Sequence, residues 1–349
     1  MRLVAVFLLS LALGLGGLYL ATREALFSAT LYAPKHPTPF LITVAVLSLL
    51  ALWSAPVAKL VLLARSQGYR VGWGHAFLSH VAQVFGTAMT PAGTGGGPFL
   101  VVALERVGVP AGVGLAMAVQ LFVLDLATLG ILIPVGLAYI LVSSAIDLGP
   151  ALTLAAAVAA AAALAISVIL VRFPTPAVRL LHAIAGWRWL RRFQRRLRRI
   201  AVEYRESALA FRDLPPLAWV LLHVLNLTAW LTNFALFWAL LAMYGAHVRL
   251  LDVLALLSMI TLLSFFVPTP GASGVMELML GLAMSASDSQ LKSVAAPVVL
   301  WRTGTFYLAF ILGPLSAWRL LSNRPAPVRG RRTLPGRDDG GGEPRGQAR

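Results

Sequence analysis

Long apolar runs joined by short polar connections make up most of the chain. Six of them, about 3–21, 39–63, 111–142, 151–171, 216–242 and 294–320, are comparable to the ~20 residues an α-helix needs to cross the ~30 Å hydrocarbon layer. Two more, Ala76 to Met89 and Val253 to Val267, are shorter, and each leads into a Thr-Pro step. Runs of that length read as re-entrant half-helices rather than full crossings. Arg2 ahead of the first run raises a signal peptide. The length of the run and the lack of a small-x-small cleavage site favour an uncleaved helix. The pattern predicts an all-α polytopic membrane protein: six transmembrane helices plus two re-entrant helical hairpins.

Composition excludes the ordinary soluble classes. Of 349 residues 59% are hydrophobic and 12% charged, against roughly 45–50% and about 25% in a soluble domain. The absence of cysteine removes disulfides, thiolate metal sites and a cysteine nucleophile. Six histidines are scattered without ligand spacing, and nothing resembles a P-loop, so no metal, cofactor or ATP drive is expected. The net charge of +16 does not point to nucleic acid, because 19 of the 29 basic residues fall in two segments, Arg172 to Arg212 and Arg319 to Arg349. Such clusters mark cytoplasmic membrane flanks.

Charge placement also sets orientation. With the N-terminus inside and both short segments re-entrant, 22 basic residues lie inside (Arg2, Arg65, Arg70, the loop and the tail). Only Arg23, Lys35, Arg249 and Lys292 lie outside. Full crossing by each short segment would put the arginine-rich loop outside, against the positive-inside bias. Residues 1–142 then run up, down, re-entrant from inside, up; residues 151–320 run down, up, re-entrant from outside, down. The second half is the first inverted, an arrangement that locates a transporter's site near the midplane where the halves meet. The expected organisation is one transmembrane domain, 1–321, made of repeats 1–145 and 150–321 with a basic amphipathic cytoplasmic loop at 172–215. A disordered basic cytoplasmic tail, 322–349, follows.

Two runs carry the candidate chemistry, TPAGTGGGPF from Thr90 to Phe99 and TPGASGVMEL from Thr269 to Leu278. Pro91 and Pro270 end the preceding helices, and the glycines after them permit tight turns. Freed backbone groups at membrane depth must face protein or a wet cavity. The helix start after each turn offers N–H groups and a positive dipole end that suit a phosphate or carboxylate.

PTPGASGVMELML (Pro268 to Leu280), followed by LWRTGTFYLAFILG (Leu300 to Gly313), resembles the membrane region of the lysylphosphatidylglycerol synthetase/flippase family. TPAGTGGGPFLVVALERVGVP matches that family's first re-entrant motif, and the resemblance covers most of 1–320. It implies a stand-alone, flippase-like membrane protein that moves or handles anionic, aminoacylated or polyprenyl-linked lipids. Carried over by motif, the substrate-binding residues are Thr90, Pro91, Gly95 and Gly96 in the first half, and Pro270, Gly271, Gly274, Glu277, Arg302 and Tyr307 in the second. Many relatives have an acidic or amide residue after the paired glycines; here that position is Gly97, followed by Pro98. The short tail leaves no room for the soluble aminoacyl-transferring domain, so lysyl transfer is not expected.

Asp125, Glu277 and Arg302 sit in or beside apolar runs, where a charge costs about 2.5–3.5 kcal/mol on insertion scales and so should face protein or water. The first pairing expected is Glu277 with Arg302, with Asp125 as an alternative partner. Aligning Pro91 with Pro270 puts Arg302 two positions from the equivalent of Asp125. These charges read either as a structural ion-pair set or as a mechanism in which Arg302 meets the headgroup phosphate while Glu277 competes or takes a coupling proton. His223, Asn226, Trp230 and Asn233 form one helical stripe. Asn226 and Asn233, with Asp125, are pathway or coupling candidates, and interhelical hydrogen bonding is the competing reading. Between Trp187 and Arg212, Trp189, Phe193, Leu197, Ile200, Tyr204 and Phe211 recur at helical spacing among arginines. That describes an amphipathic helix lying on an anionic cytoplasmic leaflet through Arg188–Arg212.

The expectation is a non-enzymatic lipid flippase of the bacterial inner membrane with both termini cytoplasmic. The alternatives are an intramembrane lipid-modifying enzyme and a non-transporting accessory subunit of an envelope-lipid pathway.

Overall fold

The computed structural model describes residues 34–90, 92–143, 149–173, 175–185, 193–267, 269, 272, 276, 279–280 and 295–322. The expected first span and the tail beyond Ser322 lie outside them. Every element among the described residues is helical. In chain order these are α1 (Pro39–Ser66), α2 (Trp73–Met89), α3 (Gly96–Arg106), α4 (Ala111–Ser143), α5 (Gly149–Arg172), α6 (Thr175–Ala185), α7 (Gln194–Arg212), α8 (Pro216–Met243), α9 (Leu250–Ser264), α10 (Ala295–Arg302) and α11 (Leu308–Ser322). A π-helical turn, Thr303–Tyr307, joins the last two.

Helices α1, α4, α5 and α8 and the stretch Ala296–Leu320 are long and apolar enough to cross a membrane. They coincide within a few residues with five of the six expected spans. Their outer faces carry Phe40, Leu47, Leu50, Leu154, Val158 and Ile311, all exposed. Outward apolar side chains around satisfied helices are what a bilayer requires, and the chain is a multi-pass membrane protein.

Local chemistry sets the helix ends. Thr38 caps α1, accepting from the Leu41 N–H at 3.3 Å, and Pro39 occupies the first turn, where its missing N–H costs nothing. Helix α1 closes at Gly68 (φ +82) and α8 at Gly245 (φ +89). In both, the next residue's N–H reaches back five positions, Tyr69 to Ala64 O and Ala246 to Leu241 O. The two helices share more than this ending. Pro216 follows Pro39, Met243 follows Ser66 and Leu250 follows Trp73 by the same 177 positions.

Helices α1 and α8 pack along their length and antiparallel. The His36 N–H donates to Met243 O at 2.9 Å at one end, and Lys59 meets Asn226 farther along. Helix α2 packs on α11, where Gly313 lies against the Phe85 ring, and α9 packs on α4, where Gly136 lies against Ala255. Helix α5 presents Ala156, Ala160, Ala163 and Ser167 to α4, and Gly130 meets this small-residue face at Ala160 and Leu164. Close backbone approach of this kind is how helices associate where lipid offers no hydrophobic drive.

Helices α2 and α3 form an antiparallel hairpin. A side chain on Gly86 would lie 2.7 Å from Gly95 O and 2.8 Å from Phe99 Cβ, so the arms touch backbone to backbone.

The basic segment differs from the expectation in what covers its apolar face. Tyr204, Ser207 and Phe211 of α7 are buried against the protein. Ser207 donates to Gln67 Oε1 at 2.8 Å, and Glu203 accepts from the Gly112 N–H at 3.1 Å. Gly112 has no room for a side chain beneath α7. Burial pushes the Tyr204 phenol above its ordinary value. Arg195, Arg198 and Arg205 stay exposed on the opposite face.

Candidate functional site

Polar side chains buried inside the bundle collect where α1, α4 and α8 meet. Lys59, on an otherwise apolar stretch of α1, has a side chain only 6% exposed. Its ammonium lies 3.9 Å from the Asp125 carboxylate on α4 and donates to Asn226 Oδ1 on α8. The Asn226 amide group donates in turn to Thr128 Oγ1 at 2.7 Å and to Leu124 O at 2.9 Å. Trp230, one turn along α8, donates to Asp125 Oδ1 at 3.0 Å. The set ties three helices together and satisfies a cation that hydrocarbon would otherwise penalise. Asp125 is the more accessible member, with 31% of its side chain exposed.

Helix α2 adds His80, whose ring meets Trp53 of α1 edge-on at 5.8 Å and lies within the field of Lys59. Trp53 donates to Gly304 O at 3.1 Å, inside the π-helical turn. Trp53 and Trp230 are themselves 177 positions apart, as are Asp125 and Arg302. The two tryptophans thus make reciprocal bonds, each from one of the paired long helices to a more distant segment. Gln120 of α4 and Ser79 of α2 are buried with polar atoms that bond to no described protein group. Such atoms mark places where water or a polar ligand is accommodated.

The sequence-predicted residues divide among three fates. Asp125 and Asn226 come together, with Lys59 as the ion partner of Asp125. Asn233 accepts from Trp301 Nε1 at 2.9 Å, and His223 bonds to Trp219 O within α8. The stripe on α8 therefore serves helix-to-helix hydrogen bonding at Asn226, Trp230 and Asn233. Arg302 is buried, its guanidinium carbon 4.6 Å from the centre of the Phe306 ring, and Tyr307 closes the π-helical turn. Pro91, Pro270, Gly271, Gly274 and Glu277 lie outside the described residues, and with them the Glu277–Arg302 pairing.

Thr90, Gly95 and Gly96 form the first glycine-rich turn, and the turn uses its own donors. Gly93 N–H bonds to Thr90 O (3.1 Å), Gly95 N–H to Thr90 Oγ1 (2.7 Å) and Gly96 N–H to Gly93 O (3.1 Å). Pro98 has no N–H. The Gly93, Gly95 and Gly96 donors are therefore taken within the turn itself. Ala92 is held at φ +51, a conformation that costs an alanine roughly 1–2 kcal/mol. At the second motif the Ala272 N–H bonds to Thr269 O at 3.1 Å, and Ala272 has φ +53. Gly93 (φ +67) and Ala272 both stand two positions after the motif proline.

Lys59, Trp53, His80 and Thr128 were not among the sequence candidates. Lys59 had a usable signal, a single ionisable residue within an apolar run. His80 and Thr128 acquire meaning only from their neighbours in space.

A family model described as the lysylphosphatidylglycerol synthase TM region matches residues 7–313. The chain belongs to that family. The region matched to the lysylphosphatidylglycerol synthase TM family takes in the whole site, from Trp53 to Arg302. The chain is also similar to a UPF0104 membrane protein of Archaeoglobus fulgidus, 23% identical over 291 residues that cover 81% of this chain and 87% of the relative.

Proposed function

We propose that this protein is a lipid flippase that moves a phosphate-bearing lipid between leaflets, built from six crossing helices and two re-entrant hairpins in an inverted repeat. The offset of 177 positions between α1 and α8 supports the repeat, as do the reciprocal Trp53 and Trp230 bonds and the antiparallel pairing of α1 with α8. Equivalent helices related by an axis in the membrane plane must run in opposite directions. The packing of α2 on α11 and of α9 on α4 has the same reciprocal form.

The observation that carries the functional reading is the buried Lys59–Asp125–Asn226 set. A headgroup phosphate offers Lys59 an anion equivalent to Asp125, so substrate and carboxylate compete for one cation. Asp125, the accessible member, is released as the phosphate enters, and it re-forms the pair when the phosphate leaves. Arg302, at the equivalent position in the other half, supplies a second cation, while the lipid tails stay in hydrocarbon. The first glycine-rich turn acts as a closed end to its hairpin, with the Gly93, Gly95 and Gly96 donors bonded within the turn. The membrane assigned is the bacterial inner membrane, with both termini cytoplasmic, on the positive-inside distribution of arginine. A proton gradient or downhill exchange drives the movement, and the lipid is not altered chemically.

Proteoliposomes containing fluorescent phosphatidylglycerol test this. Leaflet exchange faster than in protein-free vesicles, with the lipid's mass unchanged, is the expected result. His80, within the field of Lys59, gives the enzyme reading its foothold, and a shift in lipid mass would establish it. Neither exchange nor mass shift would leave an accessory subunit.

A further inference from the structure

Building on the flippase reading, we infer that the protein carries one proton with each phosphate-bearing lipid and that Asp125 is the group that holds it. Lys59 is the fixed member of the buried set. Its ammonium donates to Asn226 Oδ1, and the amide nitrogen of the fully buried Asn226 is held by Thr128 Oγ1 at 2.7 Å and Leu124 O at 2.9 Å. Asn226 cannot turn its carbonyl away from Lys59 without breaking both of those bonds. Asp125 is the looser member, 3.9 Å from the ammonium and with 31% of its side chain exposed. An entering anion therefore changes places with the carboxylate around a stationary cation.

That exchange sets a phosphodiester and a carboxylate beside one ammonium. Two like charges sharing a single cation at membrane depth do not both stay ionised, and the carboxylate is the more basic of the two. A proton from water forms an O–H bond at Asp125 Oδ2, since Oδ1 accepts from Trp230 Nε1 at 3.0 Å. It returns to water when the phosphate leaves and the Lys59 contact re-forms. His80 of α2 stays in the field of the Lys59 cation, which opposes a second positive charge, whereas Asp125 has lost that cation. On α8, His223 bonds to Trp219 O. The charges of the other helices packed on α4 face its ends or the surface. Glu105 and Arg106 close α3, whose Leu104 meets Gly114, and Glu203 of α7 takes the Gly112 N–H. Asp252 lies in the first turn of α9, one turn from the Ala255 contact with Gly136, and Arg172 and the arginines of α7 are exposed. Arg302 is engaged with the Phe306 ring and with partners of its own. The empty set, Lys59 with ionised Asp125, is neutral, and so is the loaded one, Lys59 with phosphate and protonated Asp125. Neither crossing moves net charge through the membrane potential.

The test uses the full chain in phosphatidylcholine vesicles with fluorescent phosphatidylglycerol as the probe, a pH gradient and a potassium-diffusion potential being imposed separately. Protein-free vesicles give the baseline. An exterior one pH unit more acidic than the interior should enrich the probe about tenfold in the inner leaflet, the ratio that one proton per lipid sets. The potential, of either sign, should leave the distribution unchanged. A distribution that follows the potential and ignores the pH gradient would overturn the proton coupling and leave the flippase standing. No exchange under any condition would instead refute the flippase reading, and this inference with it. Asp125→Glu keeps a carboxylate and should keep the pH response, whereas the exchange that Asp125→Asn retains should lose it. A full pH response in Asp125→Asn, or its loss in His80→Gln, would overturn the assignment to Asp125. The gradient measurement on the unmodified protein decides the coupling whether or not a variant folds.

Discussion

Two charged residues 177 positions apart, Asp125 on α4 and Arg302 at the end of α10, sit in different surroundings. Asp125 takes the Trp230 indole N–H and the Lys59 ammonium, whereas Arg302 lies against the Phe306 and Trp301 rings, and the nearby Trp53 bond goes to a backbone carbonyl in a π-helical turn. The starts of α1 and α8, their glycine ends and their tryptophan donors share the 177-position offset, while the residues at 125 and 302 carry opposite charges.

Lys59→Ala should have the largest effect on the comparison. It strands Asp125 without its ion partner, and thermal unfolding in nanodiscs should show a loss of about 3–5 kcal/mol. Lys59→Met with Asp125→Leu removes both charges and should recover most of that stability, because a well-packed apolar pair replaces a buried ion pair at little cost. Recovery absent in the double variant would mean that the pair is not the unit described.

The next contrast compares the tryptophans directly. Trp230→Phe loses a hydrogen bond to a charged acceptor and should cost about 1.5–3 kcal/mol, and Trp53→Phe loses one to a neutral carbonyl and should cost about 0.5–1.5 kcal/mol. Equal losses in the same unfolding measurement would erase the difference between the two tryptophan bonds. Ser207→Ala removes the buried hydroxyl that ties α7 to Gln67 and should cost about 1 kcal/mol, with faster hydrogen exchange confined to α7. The smallest effect belongs to Glu105→Gln. Its pair with Arg196 is exposed, and the change should stay below about 1 kcal/mol and shrink with added salt.

The spans were legible because hydrocarbon imposes a length on them, and 39–63, 111–142, 151–171, 216–242 and 294–320 each became a helix or, in the last case, two helices joined by a π-helical turn. Lys59 was not legible from the same averaging, since one lysine barely lowers the hydropathy of the run around it. The apolar face of α7 was legible as a face, but amphipathicity does not reveal whether lipid or protein covers it; Gly112 and Gln67, distant in sequence, decide that. Thr90 and Gly95 illustrate a third limit. Glycine-rich sequence announces a turn, and only the folded geometry reveals that the donors of Gly93, Gly95 and Gly96 are already taken.

The rate of fluorescent phosphatidylglycerol exchange in vesicles carrying the folded Lys59→Met, Asp125→Leu protein bears most directly on the function of the buried charges. The account predicts exchange in the unmodified protein and a fall to the protein-free rate in this variant. Exchange in the variant as fast as in the unmodified protein would contradict it.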